Sequence, residues 1–282
     1  LTLGLIRGKL EEHHLKKVRL QEIRDGGHVS LGPFGFDFFA VNHSIPDAVG
    51  LFVRTPAGNI VTTAEHAVAL LMSLVRRIPQ ATASMKAGQW EKKAFEGTEL
   101  CGKTLGVLGL GNIGSIVADR ALGLRMKVLA YDPFISAERA AKMGVELAGL
   151  DELFRRADLL TVHVPLLEET HNLVNRAAFA KMKQGAYLVC AARGGIVDEE
   201  ALLEALDSGK LAGAALDVFD PEPPQRTPLV ELDNFIGSPH IGGITVEAIG
   251  RIGMTVARDI VAVLNGQTPE YLANGQWLVP KR

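Results

Sequence analysis

The stretch TLGVLGLGNIGSIVADRALGLRMKVLAYD, residues 104–132, decides the fold. It opens with the apolar run TLGVLGL, which reads as a strand. Gly109, Gly111 and Gly114 follow at G-x-G-x-x-G spacing, and NIGSIVADRALGL continues with helical periodicity. A second apolar strand, KVLAYD, closes on Asp132, 23 positions after Gly109 (132 − 109). In a strand–turn–helix each glycine has a physical use. The first permits the tight turn, the second lets the backbone approach a pyrophosphate at the helix N-terminus, and the third lets helix and strand pack closely. A carboxylate ending the second strand accepts hydrogen bonds from ribose hydroxyls and repels a 2′-phosphate, which points to NAD rather than NADP. The competing use is structural: glycines that only pack a helix, and an Asp132 that caps the segment PFISAERAA.

Downstream, the runs LLTVHV, AYLVCAA, AGAALDVF and NFIGSP are nearly continuous in apolar residues and do not alternate. That pattern means burial on both faces, the mark of a parallel sheet covered by helices. SAERAAKMG, NRAAFAKMK and EEALLEALDSG supply helices between the strands. The expected fold class is α/β, with a doubly wound, Rossmann-type parallel sheet. Upstream, TTAEHAVALLMSLVRRIPQATASMKAGQW reads as a long helical stretch that Pro79 breaks or kinks. ITVEAIGRIGMTVARDIVAVLNG reads as a last long helix, and ANGQWLVPKR as a tail. Residues 31–60, rich in Gly, Pro and Phe, read as short strands and turns. Residues 1–30 are charged and only weakly periodic. His13 and His14 there read as a solvated helix face, with no further ligands at matching spacing, so no metal site is expected.

The bulk numbers bound the class. A chain of 282 residues suits two domains of ordinary size. A net charge of −2 gives no nucleic-acid footprint. No apolar run reaches the roughly 20 residues needed to cross a bilayer, and LTLGLIRGKL is too short and polar for a secretory signal. Cys101 and Cys190 form no C-x-x-C pair, which fits a reducing, cytoplasmic setting.

Ligands of open parallel sheets sit beyond the carboxyl ends of the strands. Arg193 follows AYLVCAA, Glu222 follows AGAALDVF, and His240 follows NFIGSP. An arginine holds a carboxylate through two parallel hydrogen bonds. A histidine exchanges a proton near neutral pH, and a glutamate bonded to it orients the ring and favours the protonated form. Beside a nicotinamide, the three suit hydride transfer between a 2-hydroxy acid and a 2-keto acid. Each residue has another use: Arg193 as a helix cap or phosphate ligand, Glu222 as surface, His240 as a satisfied loop histidine. His163 ends LLTVHV, where it lines the cofactor edge or serves structure. Asp217, an acid inside an apolar strand, needs polar partners, and the cofactor is one candidate.

With these residues in hand, the chain resembles the NAD-dependent D-isomer-specific 2-hydroxyacid dehydrogenases, and within them the phosphoglycerate branch. The matching segments include TPAGN, RRIPQATASMKAGQWEKKAFEGTELCGKTLGVLGLGNIG, YDPFIS, TVHVPL, CAARGGIVDEEALLEAL, GAALDVFDPEPP and SPHIGG, in order from about residue 50 to 266. The resemblance implies catalytic roles for Arg193, Glu222 and His240. It implies NAD contacts from Gly109, Gly111, Asn112, Ile113, Gly114, Asp132, Thr63, His163, Pro165, Ala191, Asp217, Gly242 and Gly243. Asp217 would meet the nicotinamide amide, and Gly242 and Gly243 would leave room for the ring and for the last helix. Substrate contacts would come from Gly35, Arg54, Arg193 and His240.

The family fold implies two doubly wound domains with a cleft between them, the second smaller and flavodoxin-like. The substrate-binding domain would comprise 1–60 and 246–282, with a short N-terminal part. The NAD-binding domain would comprise 61–245, including a linking helix over 61–90. Family dimers pair mainly through the cofactor domains, so a homodimer is expected. No nucleic acid or membrane partner is implied.

The departures lie in SLGPFGFD, where the family reads Arg-Ala-Gly-x-Gly-x-Asp. Leu31 stands in place of the arginine and Pro33 in place of a glycine, while Gly35 and Asp37 match. That arginine is suited to a substrate phosphate, and Arg54, Lys92 and Lys93 are the basic residues offered instead. The expected reaction is the interconversion of 3-phosphoglycerate and 3-phosphohydroxypyruvate, as in serine biosynthesis. Glyoxylate or hydroxypyruvate reduction is the alternative with the same chemistry. An NAD-sensing corepressor, a role some family members fill, is the alternative from another class.

Overall fold

Strand β3 (Thr104–Leu108) and helix α3 (Asn112–Gly123) form where the glycine pattern predicts them. The computed structural model to which they belong describes residues 28–31, 34–37, 56–224 and 227–270. Expectations resting on His13, His14, Pro33, Arg54 and the tail 273–282 lie outside the described residues. The chain divides into two compact units, Leu1–Phe52 and Val53–Arg282. In the first, β1 (His28–Leu31) and β2 (Phe34–Asp37) pair antiparallel, with Ser30 opposite Gly35 and His28 opposite Asp37.

The second unit opens with α1 (Pro56–Val75) and α2 (Ile78–Lys86), ahead of β3 and α3. It continues with β4 (Lys127–Tyr131), α4 (Ala137–Lys142), β5 (Glu146–Leu147), α5 (Leu150–Arg156) and β6 (Leu159–Val162). Then come α6 (Arg176–Lys181), β7 (Ala186–Cys190), α7 (Glu199–Asp207), β8 (Leu211–Leu216), β9 (Phe235–Gly237) and α8 (Val246–Leu264). The reading of 31–60 as strands and turns is corrected at its end, because Pro56 opens α1. Proline suits a helix start, where its missing N–H is not needed. The long helical stretch is broken rather than kinked beside Pro79. The break comes earlier, at Arg77 (φ 51°), and Pro79 sits in the first turn of α2.

Seven strands pair in the order β5-β4-β3-β6-β7-β8-β9, and each pairing is parallel. The chain builds outward from β3 in one direction, then returns to β6 and builds in the other. The reversal between β3 and β6 is the topological switch point, where open α/β sheets take ligands. Along the central strands, successive buried residues enter opposite cores. Leu105 and Val107 join Val117, Ala121, Leu71 and Leu74 under α1 and α3. Leu108, Leu160, Val162 and Leu188 join Phe154, Phe179 and Leu202 under α5, α6 and α7. The largest fully buried side chains are all leucine or isoleucine. Each contributes about 1.5–3 kcal/mol on burial, which fixes the strand ends as a rigid edge.

Candidate active site

The glycine turn stands at the switch point. Gly109 has φ 92°, a conformation that L side chains rarely adopt, and a Cβ there would also meet the His163 carbonyl oxygen at 2.9 Å. At Gly114 a Cβ would lie 1.9 Å from the Gly109 carbonyl oxygen, so the first turn of α3 folds directly onto the end of β3. At Gly111 a Cβ would meet nothing within 4 Å. Gly111 and Asn112 are exposed, and α3 starts without a side-chain cap, so its first N–H groups face outward. That combination fits a pyrophosphate. Asp132 Oδ2 accepts from Leu110 N at 2.8 Å and Oδ1 accepts from Phe134 N at 2.9 Å. These bonds hold the carboxylate beside the turn while leaving lone pairs for ribose hydroxyls. Ile113 packs toward the α1–α3 core.

His163 leaves β6 next to the turn. Its Nε2 meets Thr161 Oγ1 at 2.8 Å, while the buried Nδ1 has no hydrogen-bond partner among the described residues. Although the residue as a whole is only half-buried, burial of the ring drives its pKa down to about 4. This ring is therefore neutral at pH 7. Its free-chain pKa of 6.5 lies above the folded value, so on acidification the unfolded chain takes up a proton that the fold refuses. Stability is lost as pH falls from about 6.5 towards 4. Urea unfolding at pH 7 and pH 5 is expected to show a loss of about 2 kcal/mol that His163→Gln removes. An equal loss in both proteins would contradict this. Pro165, two residues on, is exposed, and its carbonyl accepts from Thr170 Oγ1 at 2.6 Å.

The structure brings the three strand-end residues to one edge. Gly194, after β7, lies so close to the chain beyond β8 that a Cβ would stand 1.8 Å from the Phe219 carbonyl oxygen. Arg193 is exposed in that turn, and its Nη1 donates to Ala192 O at 2.6 Å. Ala191 is buried beneath it, and Cys190 Sγ lies 4.0 Å from Arg193 O, its thiol pKa raised by burial to about 11. Glu222 accepts from Phe219 N through Oε1 at 3.0 Å and meets His240 Nδ1 through Oε2 at 2.7 Å. Glu199, at the start of α7, accepts from Asp220 N at 2.9 Å and supports the same loop. Burial, with the Asp220 and Glu222 carboxylates nearby, holds the Glu199 pKa above its ordinary value. His240 itself has φ 53°, a left-handed backbone for a non-glycine residue.

Asp217 explains how that loop is held. It follows β8 and is 1 % exposed. Its Oδ1 accepts from Ser238 Oγ at 2.5 Å and Ile241 N at 2.9 Å, and its Oδ2 from Gly242 N at 2.8 Å. His66 Nε2, on α1, lies 3.2 Å from Oδ1 and 3.0 Å from Ser238 Oγ. Burial alone would raise the Asp217 pKa, but the bonds from His66, Ser238, Ile241 and Gly242 outweigh it and hold the carboxyl below its ordinary value. Gly242 has a reason for being glycine that the sequence did not supply. A Cβ there would meet Asp217 Oδ2 at 2.9 Å, with Thr63 and His66 next nearest. Gly243 is half-buried in the turn before α8.

Sequence reasoning missed His66 and Ser238. The pair is 172 positions apart, so no local spacing links them. The available signal was a histidine set among the apolar residues of an otherwise regular helix. Of the expected substrate contacts, Gly35 lies in β2 of the first unit and Arg54 outside the described residues. Lys92 and Lys93 are exposed on a short 3₁₀ turn of the second unit.

Comparisons with known proteins place the fold and its glycine turn within a known family. Residues 68–242 match the model of the "D-isomer specific 2-hydroxyacid dehydrogenase, NAD binding domain". The chain is 50% identical over 233 residues to D-3-phosphoglycerate dehydrogenase of Archaeoglobus fulgidus, covering 82% of this chain and 44% of that protein. It is 50% identical over 228 residues to the human enzyme of that name, covering 81% and 43%. The chain thus spans less than half the length of these curated relatives. Among solved structures, D-lactate dehydrogenase from Aquifex aeolicus, complexed with NAD and lactic acid, aligns at a TM-score of 0.70 and 34% identity, covering 76% of this chain and 69% of that one. The TT0316 protein of Thermus thermophilus aligns at 0.73 and 38%, covering 78% and 70%.

Proposed function

Because the chain belongs to the D-isomer-specific 2-hydroxyacid dehydrogenase family, we propose that it interconverts a D-2-hydroxy acid and its 2-keto acid with NAD as cofactor. The acid is 3-phosphoglycerate, and the keto acid 3-phosphohydroxypyruvate. The observation that carries the reading is the 2.7 Å pair between His240 Nδ1 and Glu222 Oε2, on the sheet edge that also bears the glycine turn.

Bound NAD supplies a hydride acceptor, and its reduced form the donor. Gly109, Gly111, Asn112, Gly114 and Asp132 hold it at the switch point. With Nδ1 committed to Glu222, His240 exchanges the substrate proton at Nε2. In oxidation it takes the hydroxyl proton, and the Glu222 carboxylate stabilises the resulting imidazolium. In reduction the imidazolium returns that proton to the keto oxygen. Arg193 pairs with the substrate carboxylate and polarises the keto group. Replacing Arg193 by alanine is expected to lower kcat/KM for the keto acid by roughly a hundredfold, mainly through KM. Steady-state kinetics with unchanged kcat and KM would remove Arg193 from this role.

The proposal assigns 61–245 to cofactor binding, and 1–60 with 246–282 to substrate binding. It makes the enzyme a cytoplasmic homodimer. Ile78, Met85 and Trp90, 50%, 56% and 81% exposed on and beside α2, support pairing through the cofactor domain. A second reading keeps the chemistry but takes glyoxylate or hydroxypyruvate. Leu31 favours it, because it supplies no charge for a substrate phosphate.

A further inference from the structure

The loop that carries His240 is bracketed by a second histidine–carboxylate unit. Asp217 gathers the Ser238 hydroxyl on one side of His240 and the amides of Ile241 and Gly242 on the other. The His240 amide donates to Ser238 O at 3.0 Å, closing the loop tightly on itself. A left-handed backbone at a non-glycine residue costs on the order of 1 kcal/mol or more, so it persists only where its surroundings over-determine it. Relaxing φ to a negative value would swing the imidazole away from Glu222.

Among the described donors to Asp217, three belong to the loop itself. The fourth, His66 Nε2, comes from α1, which Ala64, Ala67, Leu70 and Leu71 anchor in the core. The Ser238 hydroxyl donates to Asp217, so its lone pair is offered to His66. The proton of His66 therefore sits on Nε2, aimed at both Ser238 Oγ and Asp217 Oδ1. A carboxylate as buried as Asp217 that loses one of its donors must turn or rebuild its remaining bonds. Those bonds define the backbone on both sides of His240.

We propose that His66 is a positioning residue for His240, acting from α1 through Ser238 and Asp217 to hold the left-handed loop that aims the imidazole. The proposal rests on the dehydrogenase reading for its kinetic consequence but not for its structural one.

The test compares His66→Leu, which keeps bulk and loses the donor, with His66→Gln, whose amide donates from a similar reach. In His66→Leu, kcat is expected to fall roughly thirtyfold, with the KM for NADH within about twofold of wild type. Hydrogen exchange at the Ile241 and Gly242 amides is expected to speed up by at least about tenfold. His66→Gln is expected to recover most of both. A kcat within about twofold of wild type in His66→Leu, or a His66→Gln no better than His66→Leu, overturns the proposal. If no keto acid supports NADH oxidation by the wild type, the dehydrogenase reading fails, and the exchange rates alone still decide whether His66 holds the loop. If His66→Leu does not fold, His66→Asn takes its place, since its shorter amide does not reach Ser238. Equal kinetics and equal exchange in the Gln and Asn variants then overturn the proposal.

Discussion

In the His240→Ala variant, NADH-dependent reduction of the keto acid is expected to fall by roughly a thousandfold, while the Kd for NADH stays within about a factor of two. The split reflects where His240 stands. It is bonded to Glu222 beyond β8 and lies past β9, whereas the glycine turn and Asp132 lie past β3 and β4. Loss of the imidazole removes the proton donor without touching the pyrophosphate cradle. Glu222→Gln should act in the same direction but less strongly. The amide still contacts Nδ1 but supplies no negative charge to the imidazolium, so turnover is expected to fall roughly tenfold to a hundredfold. Turnover within about threefold of wild type in His240→Ala would take His240 out of the chemistry.

The second large effect lies at the other end of the site. Gly114→Ala places a methyl where only 1.9 Å separates it from the Gly109 carbonyl oxygen, a backbone atom with no side chain to yield. Helix α3 must move off β3. The expected cost is about 3 kcal/mol of stability or more, together with at least a hundredfold weaker NADH binding, about 2.7 kcal/mol. Gly111→Ala separates the two consequences, because its methyl meets nothing within 4 Å. It should unfold at the wild-type urea midpoint and yet bind NADH at least about tenfold more weakly, since the methyl occupies the approach of the pyrophosphate. Normal NADH affinity in Gly111→Ala would show that the turn does not cradle the cofactor as described.

Much of this was legible in the sequence, for identifiable reasons. Strands β3, β4, β6, β7, β8 and β9 announced themselves because strands buried on both faces need continuous apolar runs. The G-x-G-x-x-G turn and Asp132 were readable because their chemistry is local, within one strand–turn–helix–strand unit. Elements that were missed lack such a signal. Helix α5 is seven residues long, too short to display a period, and β5 is two residues. Their place is set by tertiary pairing, with β5 completing the sheet beside β4. Arg193, Glu222 and His240 were legible because each stands just past the carboxyl end of a strand, a position that only the order of strands is needed to see. The His66–Ser238–Asp217 network was not found, because it joins α1 to the ends of β8 and β9 across most of the chain. Gly242 offers space for a ligand on its sequence context, and the fold adds a second demand, since a Cβ there would meet the Asp217 carboxylate at 2.9 Å. Sequence suggests that a glycine is needed and leaves open which atom requires the room.

On the proposed mechanism this chain reduces a 2-keto acid with NADH, and His240, paired to Glu222, is the proton source. The direct measurement tracks NADH oxidation with phosphohydroxypyruvate, hydroxypyruvate, glyoxylate and pyruvate side by side, for wild type and His240→Ala. The highest kcat/KM is expected with phosphohydroxypyruvate, and it is expected to be lost in the variant. Preference for an unphosphorylated acid would move the substrate assignment to the second reading. No NADH oxidation with any of the four acids would overturn the dehydrogenase function, and oxidation that persists undiminished in His240→Ala would take the proton transfer away from His240.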